Sequence, residues 1–513
     1  MDQQQVIAFL SDGANYGKPG VAVERIETHV SIIFLIGDRA FKLKRAISFP
    51  YLDYSTPARR ETCCKAELEL NRRTAPAIYL RVRAIGRGAH GKLAFDDGDI
   101  VDWVLEMRRF SQDALFDRLA SAGKLTPQLM RDLADVIAAF HRAAAITFEY
   151  GGRAGIEATV VGNHDNLLRS CPPLEMQDVQ QVYAASVRRT SAVGALLDAR
   201  RDAGMVRRCH GDLHLRNVCL FDGRPTPFDC IEFSDALACI DVLYDLAFLL
   251  MDLAHCGAND LASIVFNRYL DMTADFEGLA ALPLFMSARA AVRAHVSALA
   301  NTQNPSRQRA GDARSYLALA GTLLRAHSPR LIAIGGLSGV GKSTLALALA
   351  PDFPPAPGAR VIRSDVLRKR LFDLVPETRL PPATYTAATT KRVYQGLYDQ
   401  AAAVLSAGYT AIVDAAFIKE EERRRIGALA EAHAVPFTGV WLEAPAEVLA
   451  TRIRARSHDA SDADTEVLQQ QLCIDTGTIM WHRVDACRDT ASTLAAIRAL
   501  IAPSGSGVPS VPA

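Results

Sequence analysis

Residues 209–223 read CHGDLHLRNVCLFDG, which crowds titratable and metal-binding side chains into one short stretch. His210 and His214 are four apart, so on a helix their imidazoles would share a face and could begin a zinc site. Gly211 lies between them, Asn217 and Val218 follow, and no third soft ligand is near, which fits a loop entering a strand instead. A second reading uses more of the residues. His210-Gly211-Asp212, four residues and then Asn217 has the spacing of a phosphotransfer loop, in which an acid accepts a hydroxyl proton and an amide oxygen further on holds Mg²⁺. Base and metal ligand have to face opposite sides of the moving phosphoryl group, and that separation provides it. The following DGRPTPFD turns the chain back, so that Asp229 approaches Asn217 as a second hard ligand, with Glu232 as the alternative. The string alone could equally be a polar loop capping a strand.

A second stretch handles phosphate by other means. Gly336-Leu337-Ser338-Gly339-Val340-Gly341-Lys342-Ser343 fits G-x4-G-K-[ST] at every fixed position, between a strand-like LIAIG and a helix-like STLALALA. The backbone N–H groups of Gly336, Ser338, Gly339, Val340 and Gly341 can curl around a β-phosphate at the start of a helix that runs on through Thr344. Lys342 would reach the β- and γ-oxygens, and the Ser343 hydroxyl would ligate Mg²⁺. Downstream, TAIVDAAF ends an apolar strand in Asp414, a carboxylate suited to orienting that metal. VIRSDVLRKRLF sets Asp365 near Arg368, as an acid for contacting or deprotonating an acceptor hydroxyl. TRIRARSHDASDAD offers Arg452, Arg454 and Arg456 as a lid over the phosphates, or as a plain solvated helix face.

The elements that must position these residues differ between the two halves. Residues 22–48 carry two β-branched runs around a Gly-Asp turn, SIIFLIG and AFKLKRA, which predicts a hairpin. A helix is predicted over 58–73, strands return at YLRVRAI, GKLAFDD and VDWVLEMRRF, and helical text fills 112–200 and 235–326. From LIAIGG onward, strands and helices alternate to about residue 502. The predicted organisation is a first domain over 1–326, with lobes over about 1–108 and 109–326. A linker at 327–330, a second domain over 331–502 and a disordered Gly/Ser/Pro-rich tail at 503–513 complete it.

Composition bounds the partners. The chain has 513 residues, 49% of them hydrophobic, and 58 Lys+Arg stand against 57 Asp+Glu, so bulk charge argues against a nucleic-acid partner. None of the ten cysteines is in C-x-x-C spacing, and the first residues lack the pattern of a secretory leader. Apolar runs such as YDLAFLLMDLA are interrupted by Asp before they are long enough for a membrane span. The expectation is a cytoplasmic protein with no membrane association and no obligate protein partner.

HGDLHLRN followed by FDCIEFSDALACIDVLYDLAFLLMDL resembles the aminoglycoside-phosphotransferase-like kinases, specifically those fused to a P-loop kinase. FKLKRAISFPYLDYS, AELELNRRTAPAIYL and LEMRRF fall in the same order, so the resemblance spans most of 22–256. It implies Asp212 as catalytic base and Asn217 and Asp229 as metal ligands. It implies Lys44 as the strand lysine on the α/β-phosphates, with Lys42 on the same face as runner-up and Glu67 as ion-pair partner. The region 330–500 resembles the gluconate-kinase and zeta-toxin-like P-loop kinases. Two features depart from protein kinases: THVSII stands where a glycine-rich loop would precede the lysine strand, and no Ala-Pro-Glu segment follows Asp229. The implied fold is an α+β bilobal kinase-like domain followed by an α/β P-loop domain with a parallel sheet. The implied activity is transfer of the γ-phosphoryl of ATP, with Mg²⁺, to hydroxyls of small molecules of sugar or nucleotide-sugar type. Two alternatives stay open at this level: one half is a nucleotide-binding sensor, or the P-loop half phosphorylates polynucleotide 5′-hydroxyls.

Overall fold

A computed structural model describes residues 3–49, 52–88, 91–303, 305–455 and 461–501. The chain divides into two units, one of Met1–Cys256 with Leu284–Ala320, the other of Gly257–Pro283 with Gly321–Ala513.

The first unit opens on a six-stranded antiparallel sheet, in the order Glu24–Glu27, Ser31–Ile36, Arg39–Lys44, Asp99–Arg108, Tyr79–Arg87, Leu93–Phe95. The expected hairpin forms with Ile33 opposite Lys42, and Gly37 takes a φ of 56° that a two-residue turn demands. Ile32, Phe34, Phe41, Leu43 and Val104 fill one side of the sheet. Helix Pro57–Asn71 starts on Thr56, whose hydroxyl accepts the Arg59 N–H, with Pro at the first turn. Its Glu67 and Asn71, one turn apart, are both fully buried. Helices dominate the rest, and the hairpin Val218–Phe221 with Arg224–Pro227 turns through Asp222 and Gly223, both at positive φ.

The second unit holds a five-stranded parallel sheet in the order Arg360–Arg363, Ala411–Asp414, Leu331–Gly335, Phe437–Glu443, His482–Asp485. Ile332, Ile334, Ile412, Val440 and Leu442 from its strands join helix residues such as Leu345, Leu449 and Ile497 in one apolar core. The predicted fold class is observed in both halves.

The boundary differs from the expected one. Placing 1–326 in the first domain assigns it the helix Asn259–Thr273, yet this helix belongs to the second unit. The reason is polar. Asn267 accepts the Val361 N–H at 2.8 Å and donates to the Ala359 carbonyl at 3.2 Å, extending the bonding of the edge strand. Asp271 takes the guanidinium groups of Arg360 at 2.6 Å and Arg363 at 2.8 Å. Arg360 is 1% exposed, so this helix supplies its counter-charge. Helical periodicity alone does not say which core a helix joins. The expected tail 503–513 lies outside the described residues.

Candidate active sites

In the first unit, the lysine strand and the helix behind it build a buried charge cluster. Lys42 and Lys44 are two apart on a strand and therefore point to one face. Glu67 meets both, with Oε1 2.7 Å from Lys42 Nζ and Oε2 2.6 Å from Lys44 Nζ. The two lysines then diverge. Lys44 is 1% exposed and is closed in by Glu67, Glu232 and the Tyr54 hydroxyl. Lys42 reaches instead to Asp229, 2.5 Å from Oδ1, whose side chain is 42% exposed. Burial works against the charge on Glu67, but the two lysines outweigh it and hold its carboxyl well below the usual range. Asp229 itself sits at φ 62°, a left-handed conformation that its neighbours hold: its N–H donates to the Tyr79 hydroxyl and the Cys230 N–H to Asn71 Oδ1.

The loop read from residues 209–223 is held from beneath by helix Val242–His255. Asp245 accepts the backbone N–H groups of His210 at 3.1 Å and Gly211 at 2.8 Å, and His141 Nε2 lies 3.1 Å from the same carboxylate. Two turns along, Asp252 accepts the Leu215 N–H at 3.1 Å and the Tyr316 hydroxyl at 3.1 Å. Gly211 has φ 83°, and a Cβ there would lie 3.0 Å from Ile231 Cδ1, so glycine is required. Neither Asp245 nor Asp252 stood out in sequence reasoning. The signal was present: two acids in an otherwise apolar helix must be paired when that helix is buried all round.

His210 and His214 serve the loop, and the metal reading for them falls. His210 is fully buried, lies 2.9 Å from the Phe228 carbonyl through Nε2, and takes the Asp212 N–H on Nδ1 at 3.3 Å. Burial lowers its basicity, which suits the neutral ring these two bonds require. His214 Nε2 lies 3.3 Å from Asp212 Oδ2 and its ring packs on Phe248. Burial opposes the charge on Asp212, but His214 and Arg289 outweigh it and hold the carboxyl far below the usual range. Asn217 spends its amide N–H groups on the Asp212 carbonyl at 3.0 Å and on Asp212 Oδ2 at 2.8 Å. That orientation leaves its amide oxygen for another partner. Asp212 with Asn217 and Asp229 with Lys42 form two bonded pairs, and the Phe228 N–H, donating to the Asn217 carbonyl at 2.9 Å, ties the residue before Asp229 to this loop. The Asn217 amide and Asp229 carboxylate oxygens are hard donors of the kind Mg²⁺ takes. His141, Cys209 and Asp245 also converge within 4.8 Å, but the Asp245 oxygens are already engaged by His141 and two N–H groups.

In the second unit, strand Leu331–Gly335 delivers the glycine-rich loop to helix Lys342–Leu349. Gly336 has φ 134° and Gly339 φ 84°, and a Cβ on either would lie under 3 Å from a carbonyl, of Leu442 and Leu449 respectively. Gly341 caps the helix in the left-handed region, Val340 is buried and offers only backbone, and Thr344 is exposed on the first turn. Lys342 Nζ donates to the carbonyls of Gly336 at 3.0 Å and Leu337 at 3.1 Å. The Ser338 N–H goes to Gln471. The Ser343 hydroxyl donates to Asp414, whose carboxyl burial pushes upward while Lys342 and Ser343 pull it back. Hydroxyl and carboxylate are again a hard donor pair. Asp365 lies in the first turn of helix Ser364–Arg370, within electrostatic reach of Asp414 and Tyr385. Arg452 donates to the Ala486 carbonyl at 2.8 Å and touches that of Val340 at 3.5 Å, which sets it against the loop. Arg456 lies outside the described residues.

These geometries define a chain with two kinase-type domains. The profile of the phosphotransferase enzyme family matches residues 81–282, and that of an AAA domain matches 331–473. A protein of Mycobacterium tuberculosis (strain ATCC 25618 / H37Rv), named uncharacterized protein Rv2004c, is 31% identical over 478 residues, covering 90% of this chain and 91% of that one. The chain belongs to the same family as this protein, and in this chain the phosphotransferase match precedes the AAA-domain match. Among solved structures, a gluconokinase from Sinorhizobium meliloti 1021 is 22% identical over 34% of this chain and 97% of its own, with a TM-score of 0.24. A thermostable mutant of aminoglycoside phosphotransferase APH(4)-Ia is 14% identical over 62% of this chain and 98% of its own, with a TM-score of 0.38.

Proposed function

We propose that the chain is an ATP-dependent phosphotransferase with two separate sites, each passing the γ-phosphoryl group to a hydroxyl of a small molecule. The observation that carries this reading is repeated in both units: a lysine lies beside a set of hard oxygens at the place where an acid meets a loop. In the first unit the set is Asn217 and Asp229 with Lys42, and Asp212 faces the acceptor as base. In the second it is Ser343 and Asp414 with Lys342, and Asp365 takes the acceptor side. Mg²⁺ held by these oxygens would neutralise charge on the phosphates. The side chains do the remaining work by orienting ATP and acceptor in line.

The two strand lysines divide the labour. Lys44, enclosed by two carboxylates and a tyrosine, keeps the cluster together. Lys42, beside the half-exposed Asp229, is the one that holds the phosphates. The acceptor class is the sugar or nucleotide-sugar type, and the chemistry belongs in the cytoplasm, where ATP is abundant. No helix among the described residues is long and apolar enough to cross a membrane.

The test is transfer of label from γ-labelled ATP to a small-molecule extract by the full chain. Labelled products are expected in two groups, one lost in the Lys42→Met protein and the other in the Lys342→Ala protein. Nucleotide binding with no labelled product from either unit would contradict the reading and favour a sensor. Labelled oligonucleotide ends would reassign the P-loop acceptor.

A further inference from the structure

One backbone N–H of the glycine-rich loop already has a side-chain partner from far along the chain. The Ser338 N–H donates to Gln471 Oε1 at 2.9 Å, across 133 residues of sequence. Gln471 lies in the last turn of helix Thr465–Leu472, and that helix is anchored at its start and at its middle. Asp464 caps its start by accepting the N–H groups of Glu466 and Val467, and Leu468 is fully buried in the core of the second unit. The amide is thus delivered to the loop by an ordered element.

A side-chain amide oxygen is a neutral acceptor, and a phosphate oxygen is a charged one that makes a shorter and stronger bond to the same N–H. The two cannot share a single donor at good geometry. Resting on the reading of this loop as a nucleotide site, we propose that Gln471 is a built-in stand-in for a phosphate oxygen. It occupies a loop donor that the nucleotide must take over, and so it sets the affinity of the P-loop site. Nothing in the G-x4-G-K-[ST] pattern encodes this residue, because it enters from a helix more than a hundred positions away. Displacement exchanges one neutral hydrogen bond for a charge-assisted one, so nucleotide wins the exchange but at a discount.

The experiment is equilibrium titration of the full chain with Mg²⁺-ATP, with Lys342→Ala protein measured alongside so that binding at the other unit is subtracted. Gln471→Ala removes the competitor and is expected to tighten binding roughly 2- to 10-fold, the equivalent of one net neutral hydrogen bond. Gln471→Glu places a carboxylate on the same N–H and opposes the phosphates, so binding is expected to weaken at least about tenfold. The residue is half-buried on a helix surface where alanine is well accommodated, and matched melting curves check that the fold is unchanged. Unchanged or weaker binding by Gln471→Ala overturns the proposal, since the amide would then be inert or would hold the nucleotide. Equal nucleotide binding by wild-type and Lys342→Ala protein overturns the nucleotide reading of the loop, and the proposal with it.

Discussion

Asp212→Asn is expected to lower transfer by the first unit by roughly 10²–10⁴-fold, the range that a positioned general base contributes. The substitution keeps the loop. An amide oxygen can still accept from Asn217, whose second bond goes to the backbone carbonyl of residue 212, and the His210 and Gly211 N–H groups remain on Asp245. Only the proton acceptor is lost. Because neighbouring His214 and Arg289 hold the Asp212 carboxyl far below the usual range against its burial, it is a weak base in the ground state. On the proposed function, its share of the chemistry is to orient the hydroxyl and to take the proton late, as the phosphoryl bond forms, which suits a loose transition state. The KM for ATP should therefore stay within a few-fold, and transfer by the second unit should be unchanged. A steady-state assay on acceptors of each unit reads both. A loss confined to KM would mean that Asp212 binds substrate without acting on its proton.

Asp271→Ala is expected to destabilise the second unit by about 3–5 kcal/mol, the usual consequence of leaving one member of a buried ion pair alone. Arg360 is 1% exposed, and Asp271 is its only carboxylate partner among the described residues. Asn267 supplies the remaining acceptors for Arg360, its carbonyl at 2.8 Å and Oδ1 at 3.2 Å. The same reasoning makes a fragment beginning at residue 327 unsound, since it lacks Asn267, Asp271 and also Arg268, which pairs with Glu377. Urea unfolding followed through Trp441 and Trp481, in full chain carrying Trp103→Phe, measures the effect. If the 327–513 fragment unfolds at the same midpoint as the full chain, helix Asn259–Thr273 contributes nothing and the assignment is wrong.

Much of the site was legible because short motifs dictate their own backbone. The glycine-rich loop needs Gly336 and Gly339 at positive φ against nearby carbonyls, so its sequence and its shape are nearly one statement. The hairpin carrying Lys42 and Lys44, and the turn that returns Asp229 toward Asn217, are likewise local. What could not be read is pairing over distance. Lys42 and Lys44 share a face, and what distinguishes them is chiefly distant: Asp229, 187 positions from Lys42, and Glu232, 188 from Lys44, with the Tyr54 hydroxyl also on Lys44. The helix Asn259–Thr273 is amphipathic whichever core it joins, and its allegiance follows from Arg360 and Val361 in a strand far along the chain. Asp245 and Asp252 were legible in principle, as acids that a buried helix cannot carry unpaired.

On the proposed function, one chain holds two independent nucleotide sites, built on an antiparallel kinase-like sheet and on a parallel P-loop sheet. Binding stoichiometry of a non-hydrolysable ATP analogue with Mg²⁺ tests it most directly. Two sites per wild-type chain are expected, with one surviving in Lys42→Met and the other in Lys342→Ala. A single site per chain, abolished by either substitution alone, would contradict it.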